Sequence, residues 1–472
     1  MHPSMRGNQA CLRTGLVAIV VASGAVAVAA PAAAAQARRP TVTRVTNTHF
    51  NTATGSTGGG PRITIRGSNF RHVKAVTFGG RRGRALHVSS PTMLQVTLPV
   101  HAAGRVDVRV RTSAGLSPVN RRDRFFYQIR RRVDGGSNFS CRVNTGLGTV
   151  SCWGSNTFGQ LGNGATKSSQ TPVPVKGLTR VVSIASGDLH SCALLAGGAV
   201  KCWGYNTDGQ LGNGQRNNSR VPVTVVGLGK AIAITAGGYH TCAILTGNGV
   251  RCWGHNRYGE LGTGNTGRAL RPQPVRNLKN AVDVAAGQYF TCATRRSGAE
   301  ACWGINQFGD LGNGGTKGRT TPVAVLGVQH AVATAAGDDT ACVINTAHQV
   351  ACWGSGTGHE LGNNAAWSAR RVAISRLQNV TELALGGSHA CALTAGSARC
   401  WGWNYYGQLG NGTTKDSARP VQVAGTTVID LGAGTYHSIA LHKNGTTSWG
   451  ANTSGQLGNG TTTDSSVPVP VG

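Results

Sequence analysis

Acidic residues are scarce in this chain: 16 Asp and Glu among 472 residues, against 46 Lys and Arg. So few carboxylates leave little material for acid/base chemistry, and the formal charge of +30 favours anionic partners over basic ones. Charged residues of both signs reach only 13 %, where about 25 % is ordinary. Beyond the first 30 residues no apolar run approaches the roughly 20 residues that span a bilayer, so no later segment is expected to cross one. What is plentiful is glycine, 70 residues, which signals turns rather than long helices. Hydrophobic residues at 39 % suffice for buried cores and argue against disorder, and the length suggests roughly two to four domains.

The N-terminus has the three-part layout of a secretory leader. Arg6 and Arg13 precede the apolar run from Leu16 to Ala30, and the small-residue stretch Ala32-Ala33-Ala34-Ala35-Gln36-Ala37 follows. Residues 1–37 are therefore expected to be a signal peptide that takes Cys11 with it, which places the mature chain outside the cytoplasm or on the cell envelope.

The rest divides by charge. From Arg38 to Arg132 there are 19 Lys and Arg against Asp107 and Asp123 alone, a local charge of +17. Within this segment short alternating runs such as Ile63-Thr64-Ile65 and Val106-Asp107-Val108-Arg109-Val110 are punctuated by Gly, Ser and Pro, as in a small antiparallel sandwich. The string ITIRGSNF…VTFGG…LQVTLP…GRVDVRVRTSAGLS resembles the immunoglobulin-like IPT/TIG domain over about Arg39 to Tyr127. That resemblance implies a spacer or adhesion module and no particular ligand.

A repeat dominates the remainder. Trp-Gly pairs begin at Trp153, Trp203, Trp253, Trp303, Trp353, Trp401 and Trp449, each opening a variant of WGxNxxGQLGNG, with WGSGTGHELGNN from Trp353 the most degraded. One unit, VVSIASGDLHSCALLAGGAVKCWG from Val181, contains three short β runs, and TPVPVKGL adds a fourth whose prolines suit an edge strand. Four strands in about 50 residues, seven times over, is the arithmetic of a β-propeller. Because the first unit lacks a proline-rich run before Asn138 and the chain closes with one, Val467 to Val471 is expected to complete the first blade and close the ring. The strings IAxGxxHSCAL and WGxNxxGQLGNG resemble the regulator of chromosome condensation repeat family over Asp134 to Gly472. The resemblance implies a seven-bladed propeller closed in this way. Among relatives it implies nucleotide exchange on a small GTPase with chromatin contact, general binding scaffolds, and secreted inhibitors of β-lactamases.

Twelve cysteines fall as Cys141/Cys152, Cys192/Cys202, Cys242/Cys252, Cys292/Cys302, Cys342/Cys352 and Cys391/Cys400, one pair per unit. If Ala196-Gly197-Gly198 turns a hairpin, Cys192 and Cys202 face each other across it, within reach of a disulfide. Unit seven has Ile439 and Ser448 instead, both members missing together. Zinc sites prefer closer Cys pairs, so no metal is expected. His190, His240, His389 and His437 recur just before the cysteine position, where Phe139, Phe290 and Thr340 stand in other units, and they read as framework. The GQLGNG strings are turns without the Lys-Ser/Thr of a phosphate loop, and Glu260, Asp310 and Glu360 merely vary the position of Gln160.

The expected architecture is all-β: a signal peptide (1–37), an IPT/TIG-like sandwich (38–128), a basic linker (129–133) and a seven-bladed propeller (134–472). No catalytic residue and no cofactor is expected. The expected function is a secreted, monomeric, non-enzymatic binding or adhesion scaffold for an extracellular protein or glycan. Its basic sandwich would be held near anionic cell-envelope polymers, without specific nucleic-acid recognition. The alternatives are nucleotide exchange or chromatin binding, and inhibition of an extracellular enzyme such as a β-lactamase. Departures from the repeat mark candidate partner contacts: Trp367, Trp403, Tyr405 and Tyr406, with the paired acids Asp338 and Asp339.

Overall fold

Alternation along the basic segment closes it into two packed sheets. A computed structural model describes residues 38–47, 54–56, 62–99, 104–128, 131–144, 148–425 and 427–472; the leader with Cys11 and linker residues 129–130 lie outside them. One sheet orders Thr41–Asn47, Arg62–Ser68, Met93–Thr97 and Arg84–Ser90. The other runs Thr54–Ser56, Arg124–Gln128, Gly104–Thr112, Ala75–Phe78 and Arg81–Arg82, with Gly115–Leu116 beside Gly104–Thr112. Ile63, Ile65, Leu94, Val96, Val108, Val110, Phe78 and Phe125 fill the space between, while Arg66, Arg82, Arg84 and Arg111 point outward, so the period-two pattern sends the cations to solvent. Among the described residues no helix is long and apolar enough to cross a membrane.

The repeats form seven four-stranded antiparallel sheets. The second blade is typical, with Val181–Ser186 innermost, then His190–Leu195, Val200–Gly204 and, at the rim, Ser219–Thr224. Its sequence order is its spatial order. This phase overturns the expected closure by the C-terminal run. Ser465–Pro470 is the outer strand of the seventh blade and pairs with Gly445–Gly450. The first blade takes its inner strand, Val133–Gly135, from the interdomain linker. The proline-rich runs belong at the end of each unit because only the rim leaves one edge unpaired, where a missing N–H costs nothing.

Ring closure then uses the contact that joins every other pair of blades. Each repeat Trp is fully buried, and its Nε1–H donates to the carbonyl of the GQL-position residue one blade back: Trp203 to Gln160 at 2.8 Å, Trp253 to Gln210 at 2.9 Å and, across the seam, Trp153 to Gln456 at 2.8 Å. Four histidines add a second clasp. His190, His240, His389 and His437 place Nε2 at 2.8–2.9 Å from the hydroxyls of Thr241, Thr291, Ser438 and Ser140 in the next blade. The Thr241, Thr291, Ser438 and Ser140 hydroxyls donate onward to the carbonyls of Gln210, Glu260, Gln408 and Gln456, so each accepts from a histidine protonated on Nε2. Burial pulls these imidazoles down to about 3 in three cases and about 4 for His389. They are neutral framework residues.

The middle hairpin of each of the first six blades carries a disulfide. Cys192 faces Cys202 in the ladder, and the equivalent bonds join Cys141–Cys152, Cys242–Cys252, Cys292–Cys302, Cys342–Cys352 and Cys391–Cys400, with Cα atoms 4.0–4.1 Å apart. Ile439 faces Ser448 in the seventh blade.

Candidate functional site

In each unit two loops emerge at one end of the channel: the short turn between the inner two strands, and the long WGxNxxGQLGNG loop between the outer two. The long loop is braced from within. Asn156 accepts from Leu161 N–H at 2.9 Å and donates to the carbonyls of Ala165 and Lys167, an arrangement repeated at Asn206 and Asn404. In the unit from Trp353 that asparagine is Gly356, and the brace is missing. Gln160 ties its own turn by accepting from Phe158 N–H at 2.8 Å; Glu260, Asp310 and Glu360 do the same with one carboxylate oxygen at 2.9–3.1 Å. The acidic substitutions thus keep the turn and leave a second oxygen free to act elsewhere. Glu260 uses its second oxygen on His255 Nδ1, whereas Asp310 Oδ1 is buried without a partner.

Unassigned repeat positions on this end carry aromatic rings in two groups. Phe158, Tyr205, Tyr239, His255, Tyr258 and Tyr289 form a chain of ring contacts across the first four blades, with neighbouring centroids 5.0–6.4 Å apart. Trp403, Tyr405, Tyr406 and Tyr436 form the second group on blades six and seven, centroids 5.0–5.9 Å apart. Tyr405 is 66 % exposed. The structure therefore unites three sequence candidates, Trp403, Tyr405 and Tyr406, and adds Tyr436. Trp367 stands apart, at 50 % exposure at the start of the fifth blade's outer strand. The first group escaped sequence reasoning because its members look like filler at x positions; only superposing the repeats shows those positions share one face.

Between the two groups lie the carboxyls of blades four and five: Asp310, Asp338, Asp339 and Glu360. Burial, reinforced by Asp188, Asp339 and Glu360, pushes Asp338 up to about 7. Asp310 and Glu360 rise to about 7 mainly by burial, with the Asp339 charge adding to both. At the channel mouth the Asp188 and Asp338 carboxylates lie against Gly238 and Gly387 of the following blades, where a Cβ would come within 3.1 and 2.9 Å of their Oδ2 atoms. Main-chain bonds fasten this mouth around the ring, including Ser137 N–H to Asp188 O at 3.0 Å and Gln288 N–H to Asp338 O at 3.0 Å.

The opposite end receives the chain from the sandwich. Arg131 and Arg132 leave the sandwich and enter the propeller, where Arg131 donates to Leu383 O at 3.0 Å and lies 3.5 Å from Asp134, and Arg132 pairs with Asp430 at 3.1 Å. Two of the 19 cations in the basic segment thus serve the channel. Asp430 lies beside Glu382, and burial raises both, Glu382 more strongly, so that Glu382 keeps the proton and Asp430 faces Arg132. Sandwich strands Gly104–Thr112 and Arg124–Gln128 touch the inner strands Ala331–Ala336 and Ala281–Ala286. The axial cavity between holds about 110 Å³. Small-molecule sites usually span about 300–1,000 Å³, more than this axial cavity offers. Cys292, Cys302 and Glu300 converge, but both sulfurs are joined in a disulfide, which leaves one ligand and no metal site.

A β-sandwich joined to a propeller of seven four-stranded blades defines a class of repeat-built all-β proteins. The RCC1-like domain profile matches residues 102–392, and the chain belongs to that family. Regulator of chromosome condensation (RCC1) repeats match at 380–408, 396–441 and 448–472, and an IPT/TIG domain at 40–121. Among solved structures, yeast RCC1 (Prp20) bound to Kap60 is similar with a TM-score of 0.62 and 20 % identity, covering 75 % of this chain and 90 % of that one. Prp20p from Saccharomyces cerevisiae, described with its binding to Gsp1p and histones, gives 0.62 and 21 % over 72 % and 86 %. Human WBSCR16 gives 0.61 and 21 % over 68 % and 92 %. No curated protein matches the chain.

Proposed function

We propose that the protein is a secreted, non-enzymatic scaffold that captures another protein on the aromatic face of its propeller. The observation that carries this reading is the separation of two aromatic populations. Seven repeat tryptophans are fully buried and hold the blades, whereas Trp403, Tyr405, Tyr406, Tyr436, Tyr239, Tyr258 and Tyr289 are partly or fully exposed at one end. Clustered, partly exposed aromatics are the usual anchors of protein interfaces. Six disulfides favour an oxidising compartment, in keeping with the leader-like residues 1–37. The outward arginines of the sandwich would hold the molecule near anionic envelope polymers, an attraction screened over about 8 Å at physiological salt. Binding to Gsp1p and histones by Prp20p supports a protein-binding role for the fold, while nucleotide exchange or chromatin contact fits poorly with a disulfide-stapled chain.

The test is photo-crosslinking on producing cells with the full chain. Trp403→Ala/Tyr405→Ala should remove a crosslinked band that Trp367→Ala retains, and salt should release wall-bound protein without abolishing that band. Retention of every band by the Trp403/Tyr405 variant, or recovery of the chain inside the cell with free thiols, would overturn the proposal.

A further inference from the structure

The chain as a whole is strongly basic, yet acids gather between its two aromatic groups. Asp310, Asp338, Asp339 and Glu360 share the arc formed by blades four and five, and Asp188 joins Asp338 across the mouth. The field of these acids reaches the rings on both sides: Asp188 and Asp338 act on Tyr239, Asp188 on Tyr289, and Asp338 on Tyr436.

A second observation is independent of the charge count. At the turn position shared by Gln160, Gln456 and Asp310, one polar atom ties the turn; the other stays in its own loop at Gln160, whose Nε2 lies 3.5 Å from Ser155 Oγ, and reaches the next blade at Gln456. Gln456 Nε2 donates there to Asn138 Oδ1 at 3.4 Å. The residue equivalent to Asn138 in blade five is Asp339, whose charge acts on Asp310; Asp310, itself 0 % exposed, keeps its Oδ1 without a partner. Gln408 Nε2 is likewise buried without a partner on the side of Tyr436. No cation is among the charges that act on Asp310 or Asp339. The flanking rings supply the other half of a cation site, because guanidinium and ammonium groups stack on Tyr and Trp faces.

We infer that the mouth of the propeller receives an arginine- or lysine-bearing loop of a partner protein, its cation seated among Asp310, Asp338 and Asp339 and its stem lying against Trp403 and Tyr436. This rests on the binding-face reading above and names the chemistry of the partner segment. Planar guanidinium is the better fit to two neighbouring carboxylates because it can bond both at once.

The experiment titrates the full, disulfide-bonded chain with the peptide acetyl-Gly-Arg-Gly-Arg-Gly-amide and its citrulline twin, which keeps the planar shape but loses the charge and exchanges one NH2 donor for a carbonyl acceptor, by calorimetry. The arginine peptide should bind at least 10-fold more tightly than the citrulline one. Asp338→Asn/Asp339→Asn should erase that ratio, and Tyr436→Ala should weaken the arginine peptide several-fold, with near-ultraviolet circular dichroism reporting intact folding. Because both Asp positions lie in a loop, a variant that misfolds is replaced by the single Asp339→Ser, Ser388 being the residue at that position in blade six. Equal binding of the two peptides, no arginine binding up to millimolar concentration, or an undiminished ratio in the Asn variant would overturn the inference. If the crosslink still needs Trp403 and Tyr405 while the peptide fails, the cationic partner falls and the binding face stands; if neither responds, both fall.

Discussion

Thr294 and Glu300 face each other across the second hairpin of the fourth blade, and Thr294 Oγ1 donates to Glu300 Oε2 at 2.7 Å inside an otherwise apolar layer. The same cross-strand position holds Leu194 with Val200, Ile244 with Val250 and Ile344 with Val350. Glu300 is 1 % exposed, its Oε1 has no partner, and burial raises it to about 8. Replacing a buried polar pair with a well-packed apolar one usually stabilises. Thr294→Ile/Glu300→Val is therefore expected to gain about 1–3 kcal/mol in denaturant unfolding. Thr294→Ile alone, which strips the carboxyl of its hydroxyl, should destabilise.

Stability should fall as pH rises from about 6.5 to 8.5. Asp283 at about 7 and Glu300 at about 8 hold protons in the folded chain that they lose near pH 4 when unfolded, as do Asp310, Asp338 and Glu360 at about 7. Their contribution is present at low pH and is lost up to the folded values, at about 1.4 kcal/mol per pH unit for each fully buried group still protonated. The four clasp histidines work in the opposite sense, losing stability as pH falls from about 6.5 toward 3. They are neutral in both states well above 6.5, so the acids govern that window together with His255, which its hydrogen bond to Glu260 raises and which works in the same sense as the acids. Thermal midpoints measured across it should decline, and less steeply in Thr294→Ile/Glu300→Val.

The clasp predicts an energetic coupling. Blades four and five pair Phe290 with Ala341 where blades three and four pair His240 with Thr291. His240→Phe should cost about 1–2 kcal/mol, and adding Thr291→Ala should cost less than the sum, with a coupling near 1 kcal/mol. Strict additivity in the double-mutant cycle would show that the hydrogen bond contributes nothing.

All twelve cysteines of the propeller should resist iodoacetamide in the native chain, since their sulfurs are bonded and fully buried. Reduction should require denaturant. Once reduced, each hairpin loop of 9–11 residues should lose on the order of 2–3 kcal/mol.

Particular residues show how far one dimension reaches. The Trp-Gly period, the strand triplets and the facing of Cys192 with Cys202 follow from local spacing, because a hairpin pairs residues symmetrically about its turn. The closure expected from Val467 to Val471 failed for a reason equally local: a period has no beginning, and a proline-rich run can end one blade or start the next. Which it does depends on whether Val133–Gly135 can occupy the inner position, a long-range pairing absent from the pattern. The histidines were legible as framework, but their partners Thr291 and Ser438 lie 51 and 49 residues on.

The amino-acid order alone determined the all-β repeat, the cysteine ladder and the outward arginines of the sandwich, since each rests on periodicity or a short turn. Tertiary structure decided that Tyr239, Trp403, Tyr436, Asp310 and Asp339, scattered across five units, belong to one face. Closing a ring brings equivalent loop positions of all blades to the same end of one axis, whatever their separation along the chain.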